Sequence, residues 1–201
     1  SVAVYGGALP ETVRDDTALN PQSSYGTQKA IAELLLADYT RRGFVDGRAL
    51  RLPTISVRPG RPNAAASSFA SGIIREPLNG EPATCPVAAD TRLWLLSPRR
   101  AVQALIAGCE LDAGAVADRR PINLPGVSVT AAEMVRALRE IAGDAVADRV
   151  GWQADARVQA IVGSWPGRWD TARAADLGLA GDGDFAEIIR AYISDDLRGK
   201  V

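Results

Sequence analysis

An apolar run, a helical stretch and a second apolar run fill the first 57 residues, and this alternation constrains the fold most. Ser1-Val-Ala-Val-Tyr5 reads as a short buried strand ended by Gly6-Gly7. A polar loop through Pro10, Asp15, Asp16 and Pro21 leads to a helix starting near Tyr25, with Ser23 and Ser24 as candidate N-caps. Ala30, Ile31, Leu34, Leu35 and Ala37 give this helix a broad apolar face, and Gly43 ends it after Arg41-Arg42. Residues 49–57 read as another strand. Strand, helix and strand of this size predict one parallel βαβ unit.

After Arg58-Pro-Gly-Arg-Pro62 the character changes, which divides the chain into units 1–60 and 61–201. A short helix with Phe69, Ile73 and Ile74 is expected to stop at Pro77, with strands at 83–87 and 92–96. Ser97-Pro98 opens a helix carrying Val102, Leu105, Ile106 and Cys109 on one side. Thr130-Ala-Ala-Glu133 is a capping box, and Met134, Val135, Leu138 and Ile141 follow at helical spacing up to Gly143. Phe185, Ile188, Ile189, Tyr192 and Ile193 mark the last helix.

The composition excludes several function classes. The chain has 201 residues, 47% of them apolar, which is enough to fill a core. No apolar run approaches the roughly 18 residues of a membrane span, so no membrane partner is expected. A net charge of −1 offers no footprint for nucleic acid. The chain has no histidine, so His-based triads and His metal sites are excluded, and no other metal-ligand spacing occurs. Cys85 and Cys109 form no metal or redox pair and read as buried thiols of a cytoplasmic protein.

Proton transfer must therefore use Asp, Glu, Tyr, Lys or Cys. Tyr25-Gly-Thr-Gln-Lys29 puts a phenol and an ammonium four residues apart, on one face of a helix. The sequence holds only two lysines, and the other, Lys200, is in the tail. A free phenol, with a pKa of about 10, is a poor base at neutral pH. A neighbouring ammonium favours its charged form, so the tyrosine can take a hydroxyl proton while hydride leaves the same carbon. Ser1 adds a hydroxyl that can hold the substrate oxygen. The bland readings are a surface Tyr–Lys pair at a helix start and an ordinary strand serine.

Ser1-x-x-Val4-Tyr5-Gly6, Pro21-x-x-x-Tyr25-x-x-x-Lys29 and Leu50-Arg51-x-Pro53, in that order, resemble the extended short-chain dehydrogenase/reductase family. This family includes NAD-dependent sugar epimerases and dehydratases. The resemblance implies an α/β fold: the C-terminal part of a Rossmann-like, doubly wound parallel sheet plus a smaller mixed α/β substrate-binding domain. Units 1–60 and 61–201 are then the back of the NAD-binding domain and mainly the substrate-binding domain. It implies that Ser1 positions substrate, Tyr25 is the acid/base and Lys29 holds the nicotinamide ribose. Pro53 and Thr54 match the stretch whose backbone meets the nicotinamide amide. Similarity over 21–34, 43–54 and 65–72 points to a subgroup that oxidises the C2 hydroxyl of a four-carbon sugar acid to the 2-oxo acid. The resemblance also suggests a homodimer.

The family's Gly-x-x-Gly-x-x-Gly phosphate turn is missing, so a truncated chain, weak NAD binding and an undetermined choice between NAD and NADP are expected. Val2 and Ala3 stand where dehydratases carry an acidic pair, which counts against dehydration. An epimerase running on Ser1, Tyr25 and Lys29, and a non-catalytic binding module, remain as alternatives. Substrate contacts are sought among Ser1, Thr54, Asn63, Ser67, Ser68 and the arginines Arg58, Arg61, Arg75, Arg99 and Arg100. Trp94, Trp152, Trp165 and Trp169 are read as packing residues before pocket walls.

Overall fold

The computed structural model describes residues 1–117 and 120–197; Lys200 lies outside them. The fold is mixed α/β, as expected, but its strands are short. Strand β1 (Ala49–Arg51) pairs in parallel with β5 (Pro121–Asn123). Strand β2 (Thr54–Ile55) pairs in parallel with β4 (Arg92–Leu96), which also pairs antiparallel with β6 (Val127–Thr130). Strand β3 (Ala83–Cys85) pairs in parallel with β7 (Val150–Trp152). The expected single strand over 49–57 is therefore two, turned to different neighbours. Pro53 stands at the break, where it has no N–H to give to a ladder.

The expected strand at Ser1–Tyr5 is also corrected. Val2–Val4 forms one 3-10 turn, capped by Ser1, whose Oγ accepts from the Ala3 N–H at 3.3 Å. Val2 through Tyr5 are all buried, whereas a strand with one solvated face would alternate. The Val2 N–H still donates to the Leu52 carbonyl at 3.0 Å, which ties this turn to the end of β1.

The helices that carry the argument are α1 (Ser24–Arg41), α2 (Phe69–Leu78), α3 (Pro98–Glu110), α5 (Ala131–Ala142) and α9 (Phe185–Asp196). Short helices α4 (Ala113–Val116), α6 (Asp144–Ala147), α7 (Ala156–Gly163) and α8 (Ala172–Asp176) lie between them. Pro77 does not stop α2; it sits in the last turn, where the helix has one residue left to run. The capping box at Thr130 and Glu133 forms as expected.

The described residues pack into three apolar clusters. One joins Ile73, Ile74, Leu95, Met134, Leu138, Ile188 and Ile189 of α2, β4, α5 and α9. A second joins Leu96, Ala104, Ile122 and Leu124 with Leu50 of β1. A third joins Val2, Val4, Tyr5, Val13, Ala30 and Trp169. Helix α3 presents the opposite face from its apolar pattern: Val102, Leu105 and Ile106 are exposed while Ala101, Ala104 and Gly108 are buried. Close approach is the reason, because a Cβ at Gly108 would stand 2.7 Å from Leu50 Cδ1. Cys85 is buried, and burial pushes its thiol pKa up, but Cys109 is exposed, against expectation.

Candidate active site

Helix α1 begins where the sequence predicts, with Ser23 as the cap: its Oγ accepts from the Gly26 N–H at 3.1 Å. Only Gly26 and Ala30 of this helix are buried. Gly26 explains how the helix start meets the 3-10 turn. A Cβ built there would lie 2.0 Å from the Ala3 carbonyl oxygen, so no other residue permits this approach. The residue after Tyr25 thus rests on the segment that begins with Ser1.

Tyr25 is 56% exposed in the first turn of α1. The Lys29 ammonium lies 5.4 Å from the centre of its ring. Tyr25 and Lys29 therefore stand together and exposed at the start of α1, beside the Gly26–Ala3 contact two residues from Ser1.

A buried polar network supports this end of the helix. Glu33, one turn beyond Lys29, accepts from Arg51 Nε at 3.2 and 3.0 Å and from Arg51 Nη2 at 2.9 Å. Arg51 Nη1 also donates to the Tyr5 hydroxyl and to the Asp15 carbonyl at 3.1 Å. Burial works against the Arg51 charge, but the hydrogen bonds and charge of Glu33 outweigh it and raise the Arg51 pKa. Burial likewise pushes the Tyr5 phenol up. The Tyr5 hydroxyl donates to Asn123 Oδ1 at 2.9 Å, and Asp15 accepts from Asn123 N–H and Arg173. The network fixes the loop after Ser1 against the ends of β1 and β5.

The remaining predicted contacts divide. Thr54 is buried in β2 and lines a cavity of about 10 Å³ together with Val2, Arg92, Trp94 and Trp165. Pro53 is buried beside it. Asn63 and Ser68 lie on the loop before α2 and bind each other's segment: Ser68 Oγ accepts from Asn63 N–H, and Asn63 Oδ1 from Ala65 N–H. Arg99 turns to α9, where Asp195 holds it at 2.6 and 3.1 Å. Arg75 is buried and bound to Glu76 and to the Arg58 carbonyl, so it supports the loop after β2. Arg100 pairs with Glu187 at 3.5 Å. Trp94 stacks on Trp169, centroids 6.0 Å apart, while Trp152 is exposed.

Arg92 is a further candidate that its sequence neighbourhood does not mark. It lines both the small cavity beside Thr54 and an open cleft of about 490 Å³ that also holds Trp165, Gln159 and Arg168. Its polar contacts are long: 3.3 and 3.4 Å to Ser128 and 3.8 Å to Glu133. No local motif distinguishes it from the other arginines, and only the β4 pairing brings it to Val2 and Thr54.

The residues present fit the nicotinamide-ribose end of a dinucleotide. Lys29 offers an exposed donor that forms no ion pair with a carboxylate of the described residues, one turn from an exposed phenol. Among the described residues no cluster of acidic or cysteine side chains fits a metal ion.

The model of the NAD dependent epimerase/dehydratase family matches residues 1–95 of the chain. It is 69% identical over 195 residues to the D-erythronate dehydrogenase of Cupriavidus necator, a match covering 97% of this chain and 60% of that protein. The D-erythronate dehydrogenase of Haemophilus influenzae is 48% identical, with 98% and 62% covered. A crystal structure described as the nucleoside-diphosphate-sugar epimerase from Agrobacterium tumefaciens superposes with a TM-score of 0.94 at 45% identity, covering 99% of this chain and 58% of that one. The chain thus spans about 60% of the length of the curated relatives it matches.

Proposed function

We propose that this chain carries the substrate-handling and proton-transferring residues of an NAD-dependent dehydrogenase that oxidises the C2 hydroxyl of a small sugar acid of the D-erythronate type. The observation that carries the reading is the placement of Tyr25 and Lys29, one turn apart and exposed, against the segment headed by Ser1. The 69% identity to a D-erythronate dehydrogenase supports the substrate. In this reading Ser1 Oγ donates to the substrate C2 oxygen and holds it beside the Tyr25 hydroxyl. Tyr25 takes the C2 hydroxyl proton. Lys29, beside the Tyr25 ring, donates to the ribose, where a compact ammonium suits the task. NAD, when bound, supplies the hydride acceptor. Pro53 and Thr54 would border the nicotinamide amide, and Arg92, which also lines the open cleft, offers a guanidinium suited to the carboxylate.

In the same reading, β1 and β5 are strands at the back of a Rossmann-like doubly wound sheet. Residues 1–60 complete the NAD-binding domain and 61–201 are mainly the substrate-binding domain, with β5 returning to the first. The exposed Ile31, Leu34, Leu35 and Tyr39 on α1 support a homodimer. Sedimentation velocity showing a monomeric parent, or a dimer that survives Leu34→Glu, would remove that element.

The test is NADH formation from D-erythronate. Net NADH release identifies a dehydrogenase. A second reading, sugar epimerisation, is favoured by the likeness to the Agrobacterium structure. It predicts conversion of a sugar or nucleotide sugar with no net NADH.

A further inference from the structure

We propose that Arg51 is a positioning residue that keeps the Glu33 carboxylate off Lys29, leaving the ammonium free for its ligand. Lys29 and Glu33 stand four residues apart on α1, the spacing at which a lysine and a glutamate pair across one helical turn. They do not pair. Both Glu33 oxygens are taken by the Arg51 guanidinium, at 2.9 to 3.2 Å. The two side chains are 10% and 4% exposed, whereas Lys29 is exposed to solvent.

Two physical reasons favour this choice. The guanidinium matches a carboxylate through two donors at once, which a single ammonium does not. Arg51 is also held before it binds, by the Tyr5 hydroxyl and the Asp15 carbonyl, so little further order is lost. Asp15 itself is bound by Arg173 and the Asn123 N–H and does not compete for Arg51 with its carboxylate. Without the guanidinium, Glu33 would remain a largely buried carboxylate with the Lys29 ammonium one turn away on the same helix. The inference rests on the reading above only in its consequence, since that reading requires a free Lys29 ammonium.

The experiment uses lysine isotope-labelled at Cε, because the sequence has only two lysines and Lys29→Arg assigns the signals. Spectra are compared for the parent protein, Arg51→Gln, and the double variant Glu33→Gln/Arg51→Gln. The Lys29 resonance is expected to move in Arg51→Gln and to return to its parent position in the double variant. Turnover of D-erythronate should fall about fivefold in the single variant, less at high salt, and recover in part in the double, which still lacks the Arg51 bonds to Tyr5 and Asp15. An unmoved Lys29 signal in Arg51→Gln, or an equal displacement in both variants, overturns the proposal. If the single variant does not fold, the double variant decides alone: a Lys29 signal away from its parent position overturns it. A resonance that behaves as expected with turnover indifferent to both variants upholds Arg51 in this role and removes Lys29 from the catalytic reading.

Discussion

The Cα of Gly26 stands against the carbonyl of Ala3, so closely that a methyl group there would lie 2.0 Å from that oxygen. Both partners are backbone and cannot swing aside. Gly26→Ala should therefore destabilise the protein by about 2–3 kcal/mol, as overpacking does, and lower turnover by separating Ser1 from Tyr25. Urea denaturation with a parallel activity assay checks this; a parent-like midpoint would show that the contact is not as tight as described.

Tyr25 is more than half exposed, and its hydroxyl contributes nothing visible to packing. Tyr25→Phe should leave the thermal midpoint unchanged and NAD binding largely in place, while lowering turnover by roughly a thousandfold, the scale of lost proton transfer. Retained turnover refutes the role of the phenol.

Arg92 has only long polar contacts and faces Thr54 and the open cleft. Arg92→Ala should raise KM for a sugar acid by about tenfold to a hundredfold, the worth of one charge-assisted hydrogen bond, with little loss of stability. A KM that does not change places the carboxylate elsewhere.

Asp182 binds the start of α3: its carboxylate accepts from the Ser97 N–H at 2.8 Å and from Ser97 Oγ at 2.7 Å, both buried. Asp182→Ala strands those donors and should cost about 2 kcal/mol. The denaturation midpoint reports it directly, and an effect within error would mean that water replaces the carboxylate.

Glu133 accepts from the Thr130 N–H at 2.7 Å, and this backbone hydrogen bond holds its carboxyl below the ordinary value of 4.5. A depressed folded-state value means stability that is present above the unfolded value and lost as pH falls through the folded one. Glu133→Gln should therefore be less stable than the parent at pH 6, with the gap closing on acidification to about pH 3. Thermal melts across that range test the sign; a gap independent of pH would remove the charge from the cap.

Much of the helical plan was legible because it depends on local chemistry. The Ser23 cap, the Thr130–Glu133 box and the 185–193 stripe each act within one or two turns of the same helix. The strands were less so. Ser1–Tyr5 and 49–57 have strand composition, but Pro53 and the neighbours available decide that one is a turn and the other two short strands. Helix α3 was read inside out because its pattern marks Val102, Leu105 and Ile106, while the Gly108–Leu50 approach selects the small face for burial.

Local spacing was enough to mark the candidate site: a Tyr25–Lys29 pair on one helical face, a serine ahead of it, and no histidine in the chain. Helix periodicity alone brings residues four apart together, so no tertiary information was needed. Long-range packing was needed to seat this helix on Ala3 at Gly26, to bring Arg51 to Glu33 from across the fold, and to turn Arg92 rather than Arg99 toward Thr54. Those contacts join residues far apart in the chain through β pairing and buried charge, and neither leaves a mark in the spacing of nearby residues.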